Sequence, residues 1–373
     1  MLNTAIEREQ KIEREQKLAH WVTAQLALSE TVSLNAINND AGFRRYFRFT
    51  ATNTNNYDYN SSNNKWLAVD APPETEDSRQ FVALANYLNQ QGVCTPKILC
   101  FDAAQGFLLI EDFGDLLLHS VLTCGSAAAV YRHAFATLKK LQQCPDNATL
   151  IPRYDQHLLH QELLLFNEWF VGKLLGYSIN NSDTVMLEGM YSALEACALT
   201  QPQVLVHRDF HSRNLIMRSN NMTADDKLGV IDFQGALWGP CTYDLVSLLR
   251  DCYARWPASL VTTWALDYRL LAIESGLLPN VGETEFLRWF DCMGLQRHIK
   301  VLGIFSRLQL RDQKQQYLDD LPLVIRYTLE VAERYPELNE FVIWFKKSLL
   351  PRAQQQPWYR DYKTAGELTG DIT

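Results

Sequence analysis

The chain has 373 residues, more than a single hydrophobic core usually organises, so two lobes are expected. Apolar residues make up 47% and charged residues 21%, as in ordinary globular proteins. A net charge of −8 speaks against a nucleic-acid partner, which would need a basic surface. No apolar run approaches the ~20 residues that span a bilayer, so no membrane partner is expected. The polar N-terminus mixes acids with bases, unlike a signal or transit peptide. Eight cysteines are scattered without a Cys-x-x-Cys pair or zinc-finger spacing, which fits small buried side chains in a reducing cytoplasm. No segment calls for an obligate protein partner.

In chain order, Ile6–Lys11 and Ile12–Lys17 repeat one hexapeptide. A period of six keeps no constant face on a 3.6-residue helix, so the repeat reads as an exposed helical extension over residues 1–20 rather than a coiled coil. Apolar spacing strengthens from Leu18 to Leu28. Phe43–Thr50 and Trp66–Ala71 read as strands joined by a polar loop, and Asp77–Gln90 as a helix with Gly92 just past its end. Lys97–Asp102 and Gly106–Glu111 read as two further strands. Beyond Gly114 the spacing is helical at Ala127–Cys144, Tyr154–Leu175, Thr184–Leu199, Asp244–Tyr253 and onward to Leu350. Only Val204–Met217 and Leu228–Phe233 interrupt it, as short apolar runs beside polar residues. The reading is an α+β chain with a small antiparallel-sheet lobe carrying one main helix (21–112) and a larger, mostly helical lobe (113–373). A cleft is expected between them, with the hinge at Leu109–Gly114.

The densest chemistry lies in Val204-Leu-Val-His-Arg-Asp-Phe-His-Ser-Arg-Asn-Leu-Ile216, followed by Gly229-Val-Ile-Asp-Phe-Gln234. Apolar runs deliver His207, Arg208 and Asp209, then Asn214 five positions later, and finally Asp232. Phosphoryl transfer explains such a set, because its transition state needs positioning and cations more than covalent chemistry. Asp209 suits the carboxylate that orients an acceptor hydroxyl and takes its proton. Magnesium wants hard oxygens and keeps several waters, so Asn214 and Asp232 with nucleotide phosphates suffice as its ligands.

These residues resemble the His-x-Asp-x-His-x-x-Asn loop of the aminoglycoside phosphotransferase/choline kinase superfamily, matched by His207, Asp209, His211 and Asn214. The resemblance implies a two-lobed protein-kinase-like fold, ATP and Mg2+ as cofactors, and residues 21–112 as the nucleotide-binding lobe. It also implies that His207 and Asp244 support the catalytic loop, though Asp244 reads equally as a helix N-cap. Gly42–Arg48, Val69–Pro73, Leu108–Gly114, Phe233–Pro240, Tyr243–Asp251 and Gly294–Gly303 resemble one branch of the superfamily. That branch holds the anomeric kinases for N-acetylmuramate and N-acetylglucosamine in bacterial cell-wall recycling. It implies a small-molecule sugar substrate and a sugar 1-phosphate product.

Two features depart from the general kinase pattern. Asn39–Arg45 stands where a glycine-rich loop would, and Ala68-Val-Asp-Ala71 stands where a phosphate-binding lysine would. Arg44 or Arg45 is the candidate replacement, since guanidinium forks suit phosphate oxygens; the other reading is a pair of solvated strand arginines. Glu111 and Phe113 mark the nucleotide-binding hinge through backbone groups, or merely begin the linker. For the sugar, Glu162, Phe166 and Trp169 share a face at i, i+4 and i+7, which either lines the acceptor pocket or packs as core. His211 and Arg213 are further substrate-binding candidates. The competing readings are a kinase of the same fold with an aminoglycoside or choline-like acceptor, and a nucleotide-binding pseudokinase.

Overall fold

A computed structural model describes residues 2–37, 44–50, 65–218 and 228–367. Most of the segment replacing the glycine-rich loop (38–43), the polar hairpin loop (51–64) and the loop at 219–227 lie outside the described residues. The elements are α1 (Leu2–Gln25), β1 (Ser33–Ile37), β2 (Arg45–Thr50), β3 (Trp66–Asp70), α2 (Ser78–Gln90), β4 (Ile98–Asp102) and β5 (Phe107–Glu111). Then come α3 (Leu118–Val121), α4 (Ala127–Gln142), α5 (Gln156–Leu165), α6 (Asn181–Thr200), β6 (Gln203–Val206), β7 (Leu215–Met217), β8 (Leu228–Val230) and β9 (Leu237–Pro240). The chain finishes with α7 (Tyr243–Leu249), α8 (Ala258–Glu274), α9 (Glu283–Asp312), α10 (Leu321–Ala332), α11 (Asn339–Trp344) and α12 (Leu350–Ala353). They form two compact units, Met1–Leu117 with Leu215–Gln234, and Leu118–Asn214 with Gly235–Thr373.

The first unit is built on an antiparallel sheet in the order β1-β2-β3-β5-β4. Alternation places Phe47 and Phe49 of β2 on one buried face, with Ala68, Phe107 and Leu109 from β3 and β5. Against that face α1 lays Leu18, Ala19, Val22 and Leu26, a helical stripe of the expected period. A boundary at residue 20 therefore falls inside a continuous helix. The unit also takes in β7 and β8, which pair with each other. Val230 N donates to the Cys94 carbonyl at 2.8 Å and Met217 N to that of Leu116 at 2.7 Å. These contacts explain why the unit runs past residue 112 and includes a distant segment. In α2 the Asp77 side chain accepts from Gln80 N at 3.0 Å, satisfying one of the unpaired donors of the first turn.

The second unit is helical apart from the β6–β9 pair. Helix α5 runs directly into a π-helical stretch, Phe166–Leu174, and both pack along α9. Gly303 permits that approach: a Cβ there would lie 2.4 Å from the Leu165 carbonyl carbon, so any larger residue would push the helices apart. Phe166, Phe170 and Phe345 stack beside Leu295, Ile299 and Leu302 in its core. Among the described residues no helix is long and apolar enough to cross a membrane.

Candidate active site

In the helical unit, buried Val204, Leu205 and Val206 of β6 anchor the start of a turn over His207–Asn214. Two carboxylates hold the turn. Asp244, fully buried, accepts the amides of His207 at 2.7 Å and Arg208 at 3.0 Å. Asp251 accepts both the amide of Ser212 at 3.0 Å and its hydroxyl at 2.5 Å. Thr242 shows no side-chain cap, so Asp244 serves the loop from inside α7 rather than as the helix N-cap. Burial pushes the Asp244 carboxyl up to about 7, against the pull of its two amide partners.

Arg208 takes φ +77°, a left-handed conformation that non-glycine residues adopt mainly where surrounding structure over-determines it. Asp209 follows. Desolvation by the surrounding protein would raise the carboxyl of this exposed residue, but His211, Lys300, Arg297 and His207 outweigh that and hold it below the ordinary range. Asp209 is therefore a carboxylate at neutral pH. Its carbonyl accepts from Asn214 Nδ2 at 3.0 Å, which turns the nitrogen end of that amide inward to the loop. Tyr253 lies beneath this surface. The His211 ring meets it edge-on at 5.4 Å, and the exposed Arg213 guanidinium stacks on it at 3.6 Å.

Glu162 occupies a different position from the one its spacing suggested. It is 5% exposed, bonded to Arg208 and to the Tyr154 hydroxyl, with Lys300 Nζ at 2.9 Å. Burial opposes its ionisation, yet Lys300, Arg208 and Tyr154 hold it below the ordinary value. Glu162 is an internal brace, not a sugar-facing carboxylate. The shared face dissolves because the π-helical stretch begins at Phe166. Phe166 enters the core, while half-buried Trp169 carries the Lys173 ammonium 3.6 Å above its ring.

In the sheet unit, Asp232 ends the segment after β8 with φ +62°, and Gln234 Nε2 donates to its Oδ1 at 2.5 Å. Phe233, buried, stacks on Phe81 at 4.9 Å, and the Arg44 guanidinium lies 4.5 Å from the Phe81 centroid. Arg44 pairs with Glu76 at 3.1 Å. Half-buried Tyr46 senses Arg44, Asp232 and Glu76 together, so these groups form one neighbourhood.

Arg45 is committed elsewhere. Fully buried Asp70 accepts Arg45 at 2.6 Å on one oxygen and Arg14 at 2.9 Å on the other, and Arg14 also reaches the Gln105 carbonyl at 2.8 Å. The expectation of Arg45 as a phosphate ligand is thereby corrected: it neutralises the acid standing where a lysine was sought. The same contacts dock α1, which is not a detached extension. In the segment expected to be the hinge, Glu111 pairs with Arg218 at 2.6 Å, and Arg218 covers the Phe113 ring at 4.6 Å. Gly229 packs against that ring, where a Cβ would approach to 2.3 Å.

Sequence reasoning left Asp251 unassigned and passed over Glu76, Arg297 and Lys300. The α9 residues carried one signal: two cations three positions apart within Gly294–Gly303. Among the described residues no group of three or more His, Cys, Asp or Glu could hold a metal ion. A cavity of about 820 Å³ lies in another part of the helical unit, lined by residues such as Arg326, Glu333, Lys346 and Tyr362.

A family model described as "Phosphotransferase enzyme family" matches residues 33–278. The chain is 38% identical over 336 residues to the N-acetylmuramate/N-acetylglucosamine kinase of Pseudomonas putida, covering 88% of this chain and 94% of that one. The protein of the same name from Pseudomonas aeruginosa is 38% identical over 301 residues, covering 81% and 84%. Among solved structures, an ADP-bound aminoglycoside phosphotransferase aligns with a TM-score of 0.53 at 14% identity, over 84% of this chain and 98% of that one. An ethanolamine kinase of Plasmodium vivax aligns with a TM-score of 0.54 at 15% identity, over 79% and 83%. At such identities the two structures speak for the fold alone, which is kinase-like. By the extent of the family match and the identity to the two Pseudomonas proteins, the chain belongs to the phosphotransferase enzyme family.

Proposed function

We propose that the protein phosphorylates the anomeric hydroxyl of N-acetylmuramate or N-acetylglucosamine with ATP, giving the sugar 1-phosphate. The observation that carries this reading is an ionised Asp209 on a loop pinned by Asp244 and Asp251, in a chain 38% identical to proteins named for that activity. Asp209 accepts the hydroxyl proton while the sugar oxygen bonds the γ-phosphorus, and the bond to the β-phosphate oxygen breaks to release ADP.

Asn214 and Asp232 are the proposed oxygen ligands for magnesium, which when bound neutralises charge on the phosphate oxygens. Asp232 fits as a carboxylate held in place by Gln234. Arg44 is the proposed phosphate cation, set by Glu76 and Phe81. The backbone of Glu111–Phe113 receives the adenine edge. His211 and Arg213, presented on Tyr253, take polar groups of the sugar, and Trp169 offers an aromatic face. A reducing cytoplasm suits the eight free thiols.

The test is purified protein with Mg-ATP and N-acetylmuramate, N-acetylglucosamine, kanamycin or choline, followed by phosphorus NMR beside Asp209→Asn. A sugar 1-phosphate signal that disappears in the variant is expected. Turnover of kanamycin or choline alone would reassign the acceptor, and silence with every acceptor would leave a nucleotide-binding protein without transfer.

A further inference from the structure

Two separate devices hold Arg208, the residue before Asp209. Asp244 accepts its amide, and Glu162 accepts its guanidinium. Lys300 joins both. Its ammonium lies 2.9 Å from Glu162 and donates at 2.9 Å to the hydroxyl of Tyr243, the neighbour of Asp244 in α7. Tyr154 closes the arrangement by donating to Glu162, and Gln296 reaches Tyr154 at 3.3 Å.

Stability alone is a poor reason for this network, since buried ion pairs often do no better than apolar packing. Glu162 and Lys300 are 5% and 6% exposed, and together they fix a left-handed residue next to the proposed base. The charged groups facing Asp209 agree with that purpose. His207 and His211 come from the loop, Arg208 from the preceding position, Lys300 and Arg297 from α9, and Asp244 opposes them from α7.

We propose that Lys300 is a positioning residue for phosphoryl transfer: by bridging Glu162 and Tyr243 it locks the Arg208 turn and so aims the Asp209 carboxylate. The assignment rests on the sugar-kinase reading for its kinetic consequence, while the locking of the turn is independent of any acceptor.

The experiment uses the full-length protein and Lys300→Met, Lys300→Arg and Glu162→Gln, each checked for a native circular dichroism spectrum. In Lys300→Met, kcat should fall about 10- to 100-fold through misaimed chemistry, with the ATP KM held within about two-fold. Lys300→Arg should recover most of kcat. Amide exchange across residues 205–213, read by mass spectrometry, should quicken in both Lys300→Met and Glu162→Gln. Folded Lys300→Met with unchanged loop exchange would overturn the proposal whatever the acceptor proves to be. A kcat loss that arginine does not rescue would overturn it equally. If wild type phosphorylates no sugar but the loop exchange quickens as stated, the sugar-kinase reading fails and the lock stands.

Discussion

Asp244→Asn gives the sharpest test of the loop's electrostatics. In the wild type, burial raises this carboxyl from 3.8 to about 7. A raised folded-state value means the stabilisation is complete below the unfolded value and lost as pH climbs through the folded one. Between pH 5 and pH 8 the folded protein releases nearly one proton at this site, whereas the unfolded chain has already released it. Integrating that difference costs the wild type about 2–3 kcal/mol across the window. Asparagine cannot titrate and lacks this slope, although it meets one of the two amides with a donor and is less stable at pH 5. Urea unfolding at four pH values, followed by tryptophan fluorescence, measures both proteins; all nine tryptophans except Trp21 and Trp66 lie in the helical unit. The stability gap should narrow by about 2–3 kcal/mol from pH 5 to pH 8. A gap independent of pH would mean that the two amides keep Asp244 ionised throughout, and the reasoning would be refuted.

Arg44→Ala should raise the ATP KM about tenfold through a lost phosphate contact, whereas Arg45→Ala should leave KM unchanged and lower the melting temperature by stranding buried Asp70 with one partner. Steady-state kinetics beside thermal melts separates the two. Gly229→Ala should destabilise by about 1–3 kcal/mol, because the added methyl meets the Phe113 ring; denaturant midpoints report it. Removing divalent metal with EDTA should abolish phosphate transfer, and added magnesium should restore it; activity that survives chelation would sink the assignment of Asn214 and Asp232. Asp251→Ala should lower kcat more than KM, since Ser212 loses both its amide and hydroxyl acceptor.

What could be read from the sequence was local. Strands β2 to β5 declare themselves by short apolar runs and by the turns between them, and the catalytic stretch by its density of chemical groups. Edge strand β1, Ser-Leu-Asn-Ala-Ile, is short and mostly exposed, so its brief pattern gives no strand in the sequence reading. The role of α1 hinges on Arg14 meeting Asp70, partners separated by 56 positions, which no window along the chain can register. Glu162 was misplaced because its cationic partners, Arg208 and Lys300, come from β6's loop and from α9, far along the chain. Arg44 and Arg45 are adjacent in sequence, yet the pleat sends them to different acids, and only folding distinguishes them.

Helix α9 carries several of these duties on one rod. Asp291 binds Arg250, Gln296 reaches Tyr154, Lys300 meets Glu162 and Tyr243, and Gly303 admits the neighbouring helix. Each residue added to a helix rotates everything beyond it by about 100°. A single insertion between Gln296 and Lys300 would therefore throw Lys300 and Gly303 out of phase with Asp291 and Gln296, however mild the inserted side chain. Substitutions on its solvent side leave the phase intact. Evolution along this helix is thus free to exchange letters on one face but held to a fixed count, and homologous enzymes built this way should place their insertions in the flanking loops.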